Sequence, residues 1–500
     1  MNDIAPGSDD RFPAPVYART VLAPLFDLAR TRFVDAFRRV DRAQCVMLAE
    51  AGLLTPVQAR AIARALADIE REVDLATATY TGEVEDLFFL IEHALAARLD
   101  ADTTGRLHTG RSRNDMDHTV FRMVLKQHAD RLAASGRALA EALIRKAEAE
   151  RDTIIVAYTH GQPAQPSTFG HYLAAIIEVL LADLERLAAA RLVLDQCPMG
   201  AAAITTTGFA LSRERMAALL GFAAIRVNSY GAIATVDYVT APCAAAELMA
   251  LHLGRVVQDM QAWTAFEVGQ LHVPDGFVQI SSIMPQKRNP VPIEHARLLL
   301  SLAAGRARTA IGTMHNTPFT DMNDAEAEVQ VAAHAAFTDG SRALDLLAAL
   351  IPACRIDTGR VAANIDRSCC TITELADTLV REEGLSFRQA HGIAAATARA
   401  VVEAGTSLPG GGHAPFARAF HAATGRATAL DEPRFRLVVS PAHFVAVRQR
   451  PGGPAPAPMD RALAAYRTAL GALEAEAAGT ARREAAQHAA LDDAFGGLLQ

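Results

Sequence analysis

The chain has 500 residues, enough for two to four domains and a large buried core, which excludes a motif peptide or a disulfide-stapled miniprotein. With 51% hydrophobic and 21% charged residues its composition is that of an ordinary globular protein, so pervasive disorder and a fibrous chain are excluded as well. The 49 Lys plus Arg against 56 Asp plus Glu leave a formal net charge of −7, which argues against a nucleic-acid partner, since phosphate backbones are held by an excess of basic residues. A few local cations can still hold a small acidic substrate.

Met1 to Asp10 carries three aspartates and no basic run ahead of an apolar stretch, so it does not read as a signal or transit peptide. Residues 1 to about 15 read as a loose arm. From Val21 onward the pattern is helical. Leu48, Ala51 and Leu54, then Val57, Ala61, Ile62 and Leu66, recur at spacings of three and four, with Thr55 and Pro56 in cap and first-turn positions. Long helices are predicted over 117–150, 167–194, 238–269 and 291–306. Several are apolar on more than one face, as in Ile176, Ile177, Val179, Leu180, Leu181 and Leu184, which marks a buried bundle member or an oligomer interface. Few alternating β-branched runs compete, so the expected fold class is all-α with minor strands.

The apolar segments Leu346 to Pro352 and Ala241 to Gly254 are too short or, with Glu247, too charged to span a membrane, and no membrane partner is expected. Leu408-Pro409-Gly410-Gly411-Gly412 reads as a helix break, and an Ala-rich helix follows from Met459 to about Ala490. Composition shifts near 360, so three domains are expected, over 1–112, 113–360 and 361–500. Six cysteines without CxxC spacing point to a reduced cytoplasmic protein lacking a Cys-based zinc site, and no HExxH, HxH or Gly-rich phosphate loop implies a metal or organic cofactor.

Three polar segments stand ahead of long helices. The first, His108-Thr109-Gly110-Arg111-Ser112-Arg113-Asn114-Asp115, feeds a helix expected to begin near Asp117, and hydroxyl, amide and guanidinium groups beside free backbone N–H make an anion site. A cap with solvated arginines is the plain structural reading. In the second, 158–167, two prolines and a glycine predict an irregular loop presenting Thr159 as a donor and His160 as a proton carrier. A structural histidine is the competing reading. The third, 281–290, combines Ser281, Lys287 and Asn289 ahead of a helix carrying Glu294, where solvated loop residues are the alternative. Together the three fit one site for a substrate with several carboxylates.

These stretches, LHTGRSRND at 107–115, THGQPAQP at 159–166 and SSIMPQKRNP at 281–290, resemble in order and spacing the signature regions of the aspartase/fumarase superfamily, and the first resembles its argininosuccinate lyase branch. The likeness extends to MLAEAGLLT, GFALSRERMAALLGF, TITELADTLVREEGLSFRQAH and VSPAHFVAVRQRPGG, so it covers nearly the whole chain. The resemblance implies an all-α homotetramer with a twenty-helix core, each site assembled from three subunits. It also implies cofactor-free β-elimination that releases fumarate. By position, Ser281 resembles the base, and Lys287 with Asn289 the ligands of the carboxylate on which charge builds. Ser112, Arg113, Asn114 and Thr159 resemble the rest of the cradle, with Gln162 and Met284 adjoining the substrate, and His160 would be oriented and charged by Glu294.

Departures from the branch's pattern are local. Ile280 stands where a glycine is usual, while Val40, Asp41 and Gln44 replace the GSxAH pattern. EDIH becomes Glu85-Asp86-Leu87-Phe88, and the tyrosine, glutamine and lysine of YNxDxQEDK appear as Pro318, Asn323 and Glu326. The resemblance puts these positions on the amine side of the substrate. The expectation is therefore a carbon–nitrogen lyase acting on an N-substituted aspartate such as ethylenediamine-disuccinate or iminodisuccinate. Authentic argininosuccinate lyase and a catalytically silent structural homologue are the alternatives.

Overall fold

The structure, a computed structural model, describes residues 12–500; most of the expected N-terminal arm, 1–11, lies outside the described residues. The protein is all-α. Five long helices, Arg113–Ala149, Phe169–Leu194, Asp237–Thr264, Val291–Thr313 and Ala327–Ala353, pack as a closed ring in which the last returns to the first. At 1.5 Å per residue the 37-residue Arg113–Ala149 helix spans about 55 Å. Close approach is bought with glycine: a Cβ on Gly170 would stand 2.6 Å from the backbone oxygen of Ala147, where one bundle helix starts against the end of another.

Ahead of the bundle, Val34–Glu50 and Pro56–Glu72 meet as the spacing predicts. Thr55 caps the second through a reciprocal exchange with Gln58, and Pro56 occupies the first turn, where its missing N–H costs nothing. Val57, counted in the apolar pattern, faces solvent. Among the Phe169–Leu194 residues, Ile176, Ile177, Leu180, Leu181 and Leu184 are buried within one chain and only Val179 of that set is exposed. Large apolar side chains are also left open on neighbouring bundle helices, at Leu248, Leu251, Leu298, Leu302 and Val331.

One hydrophobic core runs from Ala18 to Cys354 and takes in Met459, Leu463, Leu470, Leu491 and Phe495, so the Pro456–Leu499 helix packs on the main body. A separate cluster, from Cys369 to Val439, forms the core of the segment between. Within it the Leu408–Gly411 stretch is a single helical turn, not a break. Ser407 caps it and Pro409 sits where no donor is required. Among the described residues no helix is long and apolar enough to cross a membrane.

Candidate active site

The long bundle helix starts at Arg113, four residues before the expected Asp117, because the buried Asp115 carboxylate organises its first turn. Its Oδ1 accepts from Ser112 N–H at 3.0 Å, and its Oδ2 accepts from Gly200 N–H and Ala202 N–H, both at 2.9 Å. Asn114 Nδ2 donates to Ala203 O at 3.2 Å. Ala202, Ala203 and Thr206 all hold positive φ in this docked loop, a conformation that non-glycine residues adopt only when their surroundings enforce it.

Ser112, Arg113 and Asn114 open onto a cavity of about 330 Å³. Arg113 is its only cationic lining residue among those described, and it is already engaged: Nη1 lies 2.7 Å from Asp86 Oδ2 and 3.1 Å from Glu85 Oε1. Four further acids, Asp117, Asp321, Glu326 and Glu328, line the same cavity, and among the described residues none of them forms an ion pair. Burial, reinforced by Glu326 and Asp86, pushes the Asp117 carboxyl well above the usual range. Burial and the hydrogen-bonded Asp321 beside it push Glu326 up to about 7. His118 is 2% exposed, and a ring nitrogen of it lies within 4.8 Å of carboxylate oxygens of Asp321 and Glu326. Burial, with Arg122 nearby, holds that imidazole neutral, down to about 3.

Of the departures from the branch's pattern, Leu87, Phe88, Asn323 and Glu326 line the cavity beside the retained Glu85 and Asp86, whereas Pro318 is exposed outside it. Val40, Asp41 and Gln44 are buried; Asp41 pairs with Arg111, and Gln44 Nε2 donates to Thr109 O at 2.8 Å, so both support the first motif from behind. Asp117 and His118 carried no separate signal in the sequence, sitting inside an unremarkable amphipathic run.

The second segment is a β-hairpin, not the irregular loop its prolines predict. Ile154–Thr159 pairs antiparallel with Gln162–Thr168, and Pro163 and Pro166 are tolerated because a two-stranded ribbon leaves one edge of each strand without ladder bonds. His160 and Gly161 form the two-residue turn with φ of 54° and 74°, the left-handed pair that such hairpins require. Thr159, His160 and Gln162 are thereby held out at an exposed tip.

The third segment is a second exposed hairpin tip. Gln279–Ile280 pairs with Arg288–Asn289, closed by Asn289 Nδ2 donating to Gln279 O at 3.2 Å. Ser281 Oγ accepts from Met284 N–H at 3.0 Å and from Ile283 N–H at 3.4 Å, donors that would favour an alkoxide over the hydroxyl. Met284 and Lys287 are exposed on the tip, and Glu294 is exposed in the first turn of Val291–Thr313. A single chain thus brings Ser112, Arg113 and Asn114 to the cavity and leaves the segments of Thr159–His160 and Ser281–Lys287 as separate outward tips.

Residues 29–305 match a family described as lyase, and residues 369–445 one described as argininosuccinate lyase C-terminal. The chain is 59% identical over 500 residues to argininosuccinate lyase 2 of Agrobacterium fabrum (strain C58), covering 100% of this chain and 99% of the relative. It is 36% identical over 414 residues to argininosuccinate lyase of Halorhodospira halophila, covering 82% of this chain and 88% of that one. Among solved structures it is similar to EDDS lyase in complex with formate, with 28% identity, a TM-score of 0.85 and 97% of each chain covered. The class II fumarase of Schistosoma mansoni, 14% identical with a TM-score of 0.64 over 87% of this chain and 94% of that one, shares the fold.

Proposed function

The chain belongs to the argininosuccinate lyase family of the aspartase/fumarase superfamily and is a fumarate-releasing carbon–nitrogen lyase, and from that premise we propose that it cleaves argininosuccinate reversibly into fumarate and arginine. The observation that carries the choice of substrate is the 59% identity, end to end, with a relative named argininosuccinate lyase. It weighs against the other N-substituted aspartates that the departures from the branch's pattern favour by themselves. Iminodisuccinate fits least: its leaving group, aspartate, would bring two carboxylates and no second amine nitrogen to face Asp117, Asp321 and Glu326. Ethylenediamine-disuccinate is the second reading, favoured by the likeness to EDDS lyase over 97% of both chains.

In the proposed reaction the Ser281 alkoxide removes the proton from the carbon next to a carboxylate of the succinyl half. The electron pair is held on that carboxylate, opposite Lys287 and Asn289, until the neighbouring C–N bond breaks and the amine leaves with the bonding pair, to be protonated. A proton next to a carboxylate is a very weak acid, so donors placed where the second negative charge develops supply most of the rate. Ser112, Arg113, Asn114 and Thr159 hold the dicarboxylate, and His160, supported by Glu294, moves the proton on the amine side. Because the hairpin tips carrying Thr159–His160 and Ser281–Lys287 stand away from the Arg113 cavity, the working unit is a homotetramer in which neighbouring subunits complete each site. Six free, buried cysteines suit the reducing cytoplasm in which we place it.

The test is fumarate release, followed by its absorbance, from argininosuccinate, ethylenediamine-disuccinate and iminodisuccinate at equal concentration. The highest kcat/KM for argininosuccinate is expected. A higher value for ethylenediamine-disuccinate transfers the assignment to the second reading, and no fumarate from any of the three would mean a silent structural homologue.

A further inference from the structure

We propose that Arg483 and Glu484 of the Pro456–Leu499 helix are positioning residues for the dicarboxylate cradle at Ser112, Arg113 and Asn114, acting through Asp195 and Lys126. The inference rests on the reading above that this cradle holds the dicarboxylate. It adds a part of the chain that the argininosuccinate lyase C-terminal match, ending at residue 445, does not reach.

Two runs of chain meet at the cradle and meet again under the C-terminal helix. One is the first part of the Arg113–Ala149 helix; the other is the segment 195–203, which leaves the end of the Phe169–Leu194 helix. At the cradle they are joined by Asp115, which accepts from Gly200 and Ala202 N–H, and by Asn114, which donates to Ala203 O. Further along, Arg122 Nε donates to Gln196 O at 3.2 Å. Farthest out, about 17 Å from Asp115 along the helix, Lys126 Nζ donates to Asp195 Oδ1 at 3.1 Å. Because the two runs are tied at three levels, the spacing set at Lys126 and Asp195 is carried to the N–H groups that hold Asp115.

The C-terminal helix grips the outermost level on both sides. Arg483 Nη2 donates to Asp195 Oδ2, while Glu484 Oε1 lies 2.8 Å from Lys126 Nζ and 2.6 Å from Arg191 Nη2. Asp195 is 3% exposed and Lys126 5%, so water cannot stand in for a lost partner, and either charge must then move toward the partners that remain. Against burial, which raises it, Lys126 and Arg191 hold the Asp195 carboxyl below its ordinary range. One helical turn on, Gln487 Nε2 donates to Phe222 O at 3.0 Å. Gly221, at φ 79°, lets His488 close in as well, since a Cβ there would stand 2.7 Å from His488 Nε2. That turn in its own right supplies Gly221 O to Lys126 and Ala223 N–H to Asp195, so the helix sets all three members of the outer level together.

The test uses the intact enzyme with whichever of the three N-substituted aspartates it cleaves best, and succinate as a dicarboxylate inhibitor that fills the cradle without reacting. Arg483→Met and Glu484→Gln are expected to raise KM and the succinate inhibition constant together, roughly 3- to 30-fold, the range for residues that act on a site through a network. The cradle binds ground state and transition state alike, so kcat should change by less than about twofold. Arg483→Lys, which keeps a charge on Asp195, should recover most of the loss. Should Arg483→Met not fold, the isosteric Glu484→Gln carries the same test. A fall in kcat or Tm with KM and the inhibition constant unmoved overturns the inference, because the helix would then contribute stability alone. Asn114→Ala separates this outcome from failure of the cradle reading: it should weaken succinate at least as much as Arg483→Met does. If it leaves succinate unaffected, the cradle reading fails and takes the inference with it; if it weakens succinate while Arg483→Met and Glu484→Gln do not, the inference alone fails.

Discussion

Arg111 Nη1 donates to Asp41 Oδ1 at 2.6 Å, and both side chains are almost completely buried. Seventy residues apart in sequence, they tie the Val34–Glu50 helix to the segment that supplies Ser112, Arg113 and Asn114. Burial outweighs the guanidinium's pull on the carboxyl, which stays above its ordinary range.

Breaking that pair should be costly. Asp41→Ala leaves a guanidinium buried and unpaired, and a loss of about 3–5 kcal/mol is expected in denaturant unfolding. The double variant Asp41→Leu with Arg111→Met should recover most of it. Equal loss in the single and double variants would mean that packing, not the ion pair, holds the segment.

Ser281→Ala should cut turnover at least ~100-fold, the low end for removal of a general base, with unchanged circular dichroism because the residue sits on a hairpin tip. Turnover near that of the unaltered enzyme would remove Ser281 from the base's role.

His160→Asn separates backbone from chemistry. Asparagine tolerates the left-handed turn at φ 54°, so thermal stability should hold while turnover falls at least ~100-fold. Retained activity would return His160 to a purely structural role.

Light scattering should report about four times the 53.2 kDa chain mass. Leu298→Glu together with Leu302→Glu, on an open apolar face, should lower that mass and abolish activity together. An active monomer would contradict the shared site.

Glu326→Gln should raise Tm at pH 8 and change it little at pH 5. The folded-state carboxyl, pushed up to about 7 from 4.5, holds its proton more tightly than the unfolded chain does. Its contribution is therefore complete below about pH 4.5 and is lost as pH rises through 7, a loss the amide does not suffer. A variant less stable than the parent at pH 8 would show that the ionised carboxylate has a partner in the assembled protein.

Much of this protein is written in short stretches of chain. Helical periodicity, the Thr55–Pro56 cap and the three polar segments depend on residues within a few turns of one another, and local sterics and capping act at that range whatever the rest does. The family likeness was legible for the same reason, being carried by contiguous blocks. Tertiary structure decided the rest. The two prolines of 163–166 argue for a loop until the pairing with Ile154–Thr159 leaves their missing donors on an open edge. Nothing local distinguishes Asp117 or His118 from other polar residues on a bundle helix. They acquire meaning only when the return of the Ala327–Ala353 helix sets Asp321 and Glu326 against them across some two hundred residues. Charge repulsion and desolvation act through space, so which carboxylates share a cavity follows from the closed ring of helices and not from any one segment.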